Sequence, residues 1–132
     1  MERTGGYMDG KDPLRHLPLT PQVFHILLSL LDDDLHGYAI IQEVNKRTGG
    51  RVKLGSGTLY AAIRRLLEAE MIEESDHRPP AEQDDERRKY YRITEFGRRV
   101  AAAEAERLAE LVDQATEKEL ITRLHPASSK TD

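Results

Sequence analysis

Apolar residues recur along this chain in two rhythms, and the changes between them outline its architecture. Over residues 20–34 the sequence reads TPQVFHILLSLLDDD, and Val23, Phe24, Ile26, Leu27, Leu28, Leu30 and Leu31 cover most of a helical circumference. Thr20 suits the N-cap and Pro21 the first helical position, where its missing N–H costs nothing. A helix this apolar belongs in a core or an interface, and the run Asp32–Asp34 ends it. A second helix is predicted over 35–48, with Tyr38, Ile41 and Val44 on one face and Ile40 beside them. Gly37 and Tyr38 read as packing at its start, and Gly49–Gly50 stops it. Arg51–Leu54 alternates polar and apolar positions, so a very short strand and an extended turn both fit.

A third helix is expected from about 57 to 70, capped by Ser56. Its Leu59, Ile63, Leu66 and Leu67 fall at i, i+4, i+7 and i+8 as a one-sided stripe, opposite Tyr60, Ala61, Arg64 and Glu68. The period then shortens. MIEESDHR and RKYYRIT read as two β segments, with Tyr90, Tyr91 and Ile93 as wing-strand core. Between them lies PPAEQDDE, where Pro79–Pro80 forbids regular structure. Thr94 then caps a long helix over 95–123 that ends before Pro126. Ala101, Ala105, Leu108, Val112 and Ala115 are spaced four, three, four and three along it, a coiled-coil-like seam. Val100, Ala103 and Leu111 broaden that surface beyond what one small domain covers.

Helix, helix, turn, amphipathic helix and hairpin make a winged helix-turn-helix. The expected class is mainly α with a small β-hairpin, plus a long C-terminal dimerisation helix. The expected division is a flexible arm at 1–17, a winged-helix domain at 18–94, the dimerisation helix at 95–124 and a disordered tail at 125–132.

Charge sharpens this picture. The whole chain of 132 residues carries a formal net charge of −4. Yet KRTGGRVKLGSGTLYAAIRR, Lys46 to Arg65, holds six basic residues and no acidic one, so the remainder sums to −10 (−4 less +6). An acidic chain with a local basic stretch does not coat polyanions at large, and one patch must carry any such binding. The complete lack of cysteine excludes disulfides, thiolate metal sites and cysteine nucleophiles. The longest apolar run, ILLSLL, is far short of the ~20 residues of a membrane span. The N-terminus has no apolar signal region, so a soluble cytoplasmic protein is expected. His16, His25, His36, His77 and His125 lack ligand spacing, and His25 reads as a satisfied interior residue. Ser29 and Ser56 lack a partnered His–Asp pair, and no phosphate loop, nucleophile elbow or HExxH is present. No enzyme activity, cofactor or metal is expected.

HGYAIIQEV, then GSGTLYAAIRRLLEAEMIEE, then RRKYYRITEFGRR together resemble the PadR family of bacterial transcriptional regulators over roughly residues 19–111. GTLY at the start of the third helix and YYRIT-E-G at the close of the wing are the most specific parts. The resemblance implies a winged-helix DNA-binding domain, a C-terminal dimerisation helix in the shorter of the family's two architectures, and ligand-released repression. It places the wing cations Arg87, Arg88 and Lys89 at the DNA backbone or minor groove. The acidic tip EQDDE departs from the family pattern.

Double-stranded DNA is therefore the expected partner. The residues themselves offer two readings at each position. Ser56, between Gly55 and Gly57, either contacts a phosphate or serves only as a cap. Thr58, Tyr60 and Arg64 lie on or near the exposed side, with Tyr60 and Arg64 projecting together at i and i+4. Arg64 either reaches a guanine edge or a phosphate, or pairs with Glu68; Arg65 lies nearer the flank and suits the backbone. Arg87, Arg88 and Lys89 either meet DNA or balance Asp84, Asp85 and Glu86. Arg47, Arg51 and Lys53 either form a solvated face or add long-range attraction. The dimerisation candidates are Ala101, Ala105, Leu108, Leu111, Val112 and Ala115, with the first helix contributing. The product is a homodimeric repressor on a pseudo-palindromic operator, with a small-molecule effector as an open element. A winged helix that docks a protein instead of DNA is the alternative. A drug-sensing regulator of the MarR type is a third reading that the motifs disfavour.

Overall fold

A computed structural model describes residues 11–76 and 88–122. The N-terminal arm up to residue 10, the wing tip with its EQDDE run and the C-terminal tail lie outside the described residues.

The Asp12 carboxylate accepts the Leu14 N–H and starts a short 3₁₀ turn, Pro13–His16. Helix α1, Pro21–Ser29, begins as its sequence dictates: the Thr20 hydroxyl accepts the Val23 N–H at 3.2 Å, with proline at the first helical position. It ends at Ser29, before the aspartates, and Leu30 turns inward after it. Leu35–His36 is not helical but a two-residue strand, β1, and α2 starts only at Gly37 and runs to Thr48. Gly49 closes α2 in the left-handed conformation, φ 61°, which glycine adopts without the Cβ penalty. Arg51–Leu54 forms no strand, which settles that stretch as an extended turn.

Helix α3 is Ser56–Glu68, one residue earlier at its start than the periodicity suggested and two shorter at its end. Its N-cap is Gly55 and no side chain caps it, so Ser56 is the first helical residue and not the cap. Strands β2, Ile72–Ser75, and β3, Tyr90–Ile93, make the hairpin. β1 adds to its far edge, giving an antiparallel order β1-β3-β2 with Leu35 opposite Tyr91 and Ile72 opposite Ile93. Thr94 caps α4, Glu95–Glu117, accepting the Gly97 N–H at 3.0 Å while donating to the Glu70 carbonyl at 2.7 Å.

The core runs through all of these elements. Ile26 and Leu27 from α1, Ile40 and Val44 from α2, Leu59 and Ile63 from α3, and Val100 and Ala101 from α4 close over Ile72 and Tyr91 of the sheet. The α3 stripe is buried as its spacing requires. Gly97 admits α4 against the hairpin: a Cβ there would lie 2.8 Å from Ile93 Cγ1 and 3.0 Å from the Met71 carbonyl carbon. Among the described residues, one charged side chain lies inside. Glu104 is 2% exposed, and its carboxylate accepts two hydrogen bonds from Arg107, at 2.9 and 2.7 Å, and one from the Leu19 N–H. The Arg107 hydrogen bonds hold its pKa below the usual carboxylate value, against the opposing effect of burial. No helix among the described residues is long and apolar enough to cross a membrane.

Candidate nucleic-acid interface

The basic stretch separates into two groups once its partners are visible. Arg47, though exposed, is tied to groups of its own protomer. Its guanidinium donates to the His25 carbonyl at 3.0 Å and the Ser29 hydroxyl at 3.2 Å, and meets Glu43 at 3.2 Å and His25 Nδ1 at 3.3 Å. It staples α2 to α1, which is neither of its sequence readings. The same contact explains His25: half-buried, it keeps a lowered pKa, mainly through burial and then through the Arg47 charge.

Arg64 and Arg65 make no ion pair among the described residues, and both are exposed on α3. The Arg64–Glu68 pair does not form. Ser56, Gly57 and Thr58 are exposed ahead of them, and a Cβ on Gly55 or Gly57 would meet only open space. The first turn of α3 is thus bare backbone with small side chains.

Tyr60 does two things. It is 46% exposed, and its ring lies on Gly37 at the start of α2. A Cβ on residue 37 would overlap the phenol, with Cζ 2.7 Å away. Gly37 is therefore packing, as the sequence suggested, and its partner is the candidate DNA-facing tyrosine. Tyr38 is the correction here. It is 59% exposed, because the buried face of α2 is built on Gly37, Ile40 and Val44.

His36 holds the corner between sheet and helix. Its Nδ1 accepts the Ala39 N–H at 3.2 Å as the N-cap of α2, and its ring stands edge-on to Tyr90. Burial, and then the Arg88 guanidinium, lower its pKa. On the wing, Arg88 and Lys89 are exposed, and Lys89 lies 3.5 Å from Glu74 on the neighbouring strand. That pair is open to solvent on both sides and so weak. Arg87, with Asp84, Asp85 and Glu86, lies outside the described residues. Beside α3 and the wing, His36, Gly37, Tyr38, Tyr60, Arg88, Lys89 and Tyr91 line one cleft of about 490 Å³. Among these, His36, Tyr38 and Tyr91 carried no functional reading in the sequence. HGY reaches the hairpin edge only through the pairing of β1 with β3, a proximity that the sequence does not display.

The far side of the molecule is different. Ala101 and Val100 are buried in the protomer's own core, so the seam open to solvent begins at Ala105 and continues through Leu108, Leu111 and Val112 to a half-buried Ala115. The first helix is also mostly internal, with Ile26 and Leu27 fully buried.

A helix-turn-helix with a three-stranded wing and an exposed basic recognition helix defines a winged-helix, DNA-binding transcriptional regulator. The profile of the transcriptional regulator PadR-like family matches residues 26–103, and the chain belongs to that family of regulators, which are not enzymes. An uncharacterized protein of Lysinibacillus sphaericus is 40% identical over 73 residues, 55% of this chain; the chain spans 64% of that relative's length. A transcriptional regulator structure from Clostridium thermocellum is 28% identical, with a TM-score of 0.59 over 74% of this chain and 87% of that one. A PadR-like regulator from Bacillus cereus shares the fold at 21% identity, TM-score 0.61, over 76% of this chain and 92% of that one.

Proposed function

We propose that the chain works in the cytoplasm as a homodimeric repressor that reads a pseudo-palindromic operator. Helix α3 enters the major groove with Ser56 and Thr58 leading, and Tyr60, Arg64 and Arg65 follow along its outer face. Arg87, Arg88 and Lys89 of the wing rest on the flanking backbone. The observation that carries this reading is the pair Arg64 and Arg65: exposed, without ion-pair partners among the described residues, Arg64 opposite the buried stripe of α3 and Arg65 on its flank. Cations left uncompensated in an acidic protein are there for an anionic partner.

The reading domain is residues 18–94 and the assembly segment 95–124, although the helix itself stops at Glu117, short of the expected 123, and Pro13–His16 of the expected arm is an ordered turn whose His16 ring meets Phe96 of α4. Ala105, Leu108, Leu111, Val112 and Ala115 meet the same residues of a second copy, with α1 supporting them from below. Two-fold pairing puts two α3 helices about one DNA turn, ~34 Å, apart. Release by a small-molecule effector at the dimer junction completes the scheme.

The test is retention of genomic DNA fragments by the purified protein across a salt series. With about six phosphate contacts, binding should weaken by ~10³-fold or more between 50 and 200 mM salt. Absence of retention at low salt, together with a salt-insensitive protein partner, would replace DNA reading with docking.

A further inference from the structure

The cleft between α2, α3 and the wing is lined by a largely buried tyrosine whose hydroxyl has no hydrogen-bond partner among the described residues. Tyr91 is 5% exposed, yet its hydroxyl makes no hydrogen bond among the described residues. Buried polar groups are nearly always paired, so an orphan of this kind marks a place where a partner arrives. Tyr91 does not sit alone. Tyr38 and Tyr60 line the same cleft, and neither hydroxyl has a hydrogen-bond partner among the described residues. His36 lines it too; with Nδ1 accepting from Ala39, its Nε2 carries the proton and is a further donor. Arg88 and Lys89 supply positive charge from the wing side, and the Glu74 contact of Lys89 is solvent-exposed and readily exchanged. The lining is thus rich in donors and cations around one opening. An uncharged donor set with flanking cations suits a singly charged, multiply accepting oxyanion, and the opening lies beside the face of α3 that carries Arg64.

We infer that this cleft is a seat for one backbone phosphodiester of bound DNA, held by the Tyr38, Tyr60 and Tyr91 hydroxyls with Arg88 and Lys89. The inference rests on the DNA-reading function and deepens it: Tyr60 becomes a phosphate ligand that sets the depth of α3, and not a reader of bases. Burial of Tyr91 and the neighbouring Tyr60 and Glu74 raise its pKa, so it remains a donor through the neutral range. Gly37 is part of the device, since any larger residue would push the Tyr60 ring out of the opening.

The experiment uses a duplex selected on the full-length wild-type protein, with single methylphosphonate linkages walked along each strand. Tyr91→Phe removes only the hydroxyl. Because that hydroxyl is unpartnered in the fold, the variant should melt at or above the wild-type temperature while binding the duplex about 10-fold or more weakly. One neutral linkage per half-site should weaken wild-type binding similarly and cost the variant nothing further, the non-additivity of two groups in one contact. Tyr60→Phe should lose binding at the same linkage. Inorganic phosphate alone should compete only at far higher concentration than duplex, because a lone anion lacks the other contacts. Variants that bind as wild type overturn the seat, as does a loss that no single linkage absorbs. A lowered melting temperature for Tyr91→Phe shows an existing partner inside the fold and overturns it too. If the wild-type protein selects no duplex at all, the DNA reading itself fails and takes the seat with it, an outcome separate from a wild type that binds and variants that do not care.

Discussion

Helices α3 and α4 are built on the same plan and end in opposite chemistry. Each buries one face in the shared core: Leu59, Ile63 and Leu66 from the first, Phe96, Val100 and Ala101 from the second. On α3 the remaining face carries Ser56, Thr58, Tyr60, Arg64 and Arg65, with no acidic residue before Glu68. On α4 Arg107 is paired with the Glu104 carboxylate, Arg98 donates to the Leu31 carbonyl at 3.0 Å, and Arg99 lies 5.8 Å from the centroid of the Phe96 ring. Beyond its buried half α4 leaves Leu108, Leu111 and Val112 in solvent, alongside the acidic Glu106, Glu110 and Asp113. A face of unpaired cations asks for a polyanion, and a face of exposed leucines asks for apolar surface, most simply its own. The buried halves specify the fold, and the leftover halves specify partners.

The largest effect that would break this contrast is loss of assembly through α4. Leu108 is already partly covered, so completing its burial in a dimer is worth about 1–2 kcal/mol per chain, and two-fold symmetry counts it twice. Leu108→Lys should therefore raise the dimer dissociation constant roughly 30- to 700-fold, with the monomer's melting lowered only slightly. Sedimentation across a dilution series measures it. A variant that sediments as a full dimer would remove the α4 seam from the interface.

On α3 the expected effect is smaller and confined to binding. Arg64→Ala should cost about 1–3 kcal/mol per half-site and leave thermal stability where it was, because the side chain makes no ion pair within the fold. Binding to a panel of point-substituted duplexes then sorts its role. Relaxed preference at one position assigns Arg64 to a base edge, and a uniform loss with a shallower salt slope assigns it to phosphate. No change in affinity would move the reading face elsewhere on the helix.

Periodicity exposed the elements and the buried stripe of α3, because Leu59, Ile63 and Leu66 announce a face by hydropathy alone. It misplaced the face of α2 because one of the three positions that define it, Gly37, has no side chain to register. For want of that signal, Tyr38 reads inward in the sequence. The two-residue strand β1 is too short to show a period, and its existence depends on β3, more than fifty positions away. Arg47 and Arg64 look alike in sequence; only the fold brings His25 and Ser29 to the first and nothing to the second. Ala101 fits the α4 seam by spacing, but the hairpin and α1 reach that far along the helix and cover it. The orphan hydroxyl of Tyr91 was invisible for a related reason, since a strand tyrosine reads as core whether or not its oxygen is satisfied.

The smallest expected effect is in pH, and it falls on the α3 side alone. His36 caps α2 only while Nδ1 is unprotonated, and burial together with the Arg88 charge keeps its pKa below the ordinary 6.5. Lys89 approaches the same cleft from the wing and Tyr90 meets the ring edge-on, so the cationic form has no local support from these neighbours. Well above 6.5 the imidazole is neutral in both folded and unfolded chains, and the cap contributes fully. As pH falls below that value the unfolded chain takes up its proton first, so folding stability declines until the folded ring titrates as well. His25 acts in the same direction through burial and Arg47, so wild-type melting alone does not separate the two. His36→Asn keeps a capping acceptor and does not titrate. Variant and wild type should melt alike near ~pH 7.5, with the wild type falling below the variant towards ~pH 5.5. Parallel curves would assign the acid loss to His25. Helix α4 contains no histidine over Glu95–Glu117, so dimer dissociation should stay flat over the same interval. An acid-weakened dimer would mean that the two faces are coupled, since protons taken up beside α3 would then be felt at the α4 seam through the core they share.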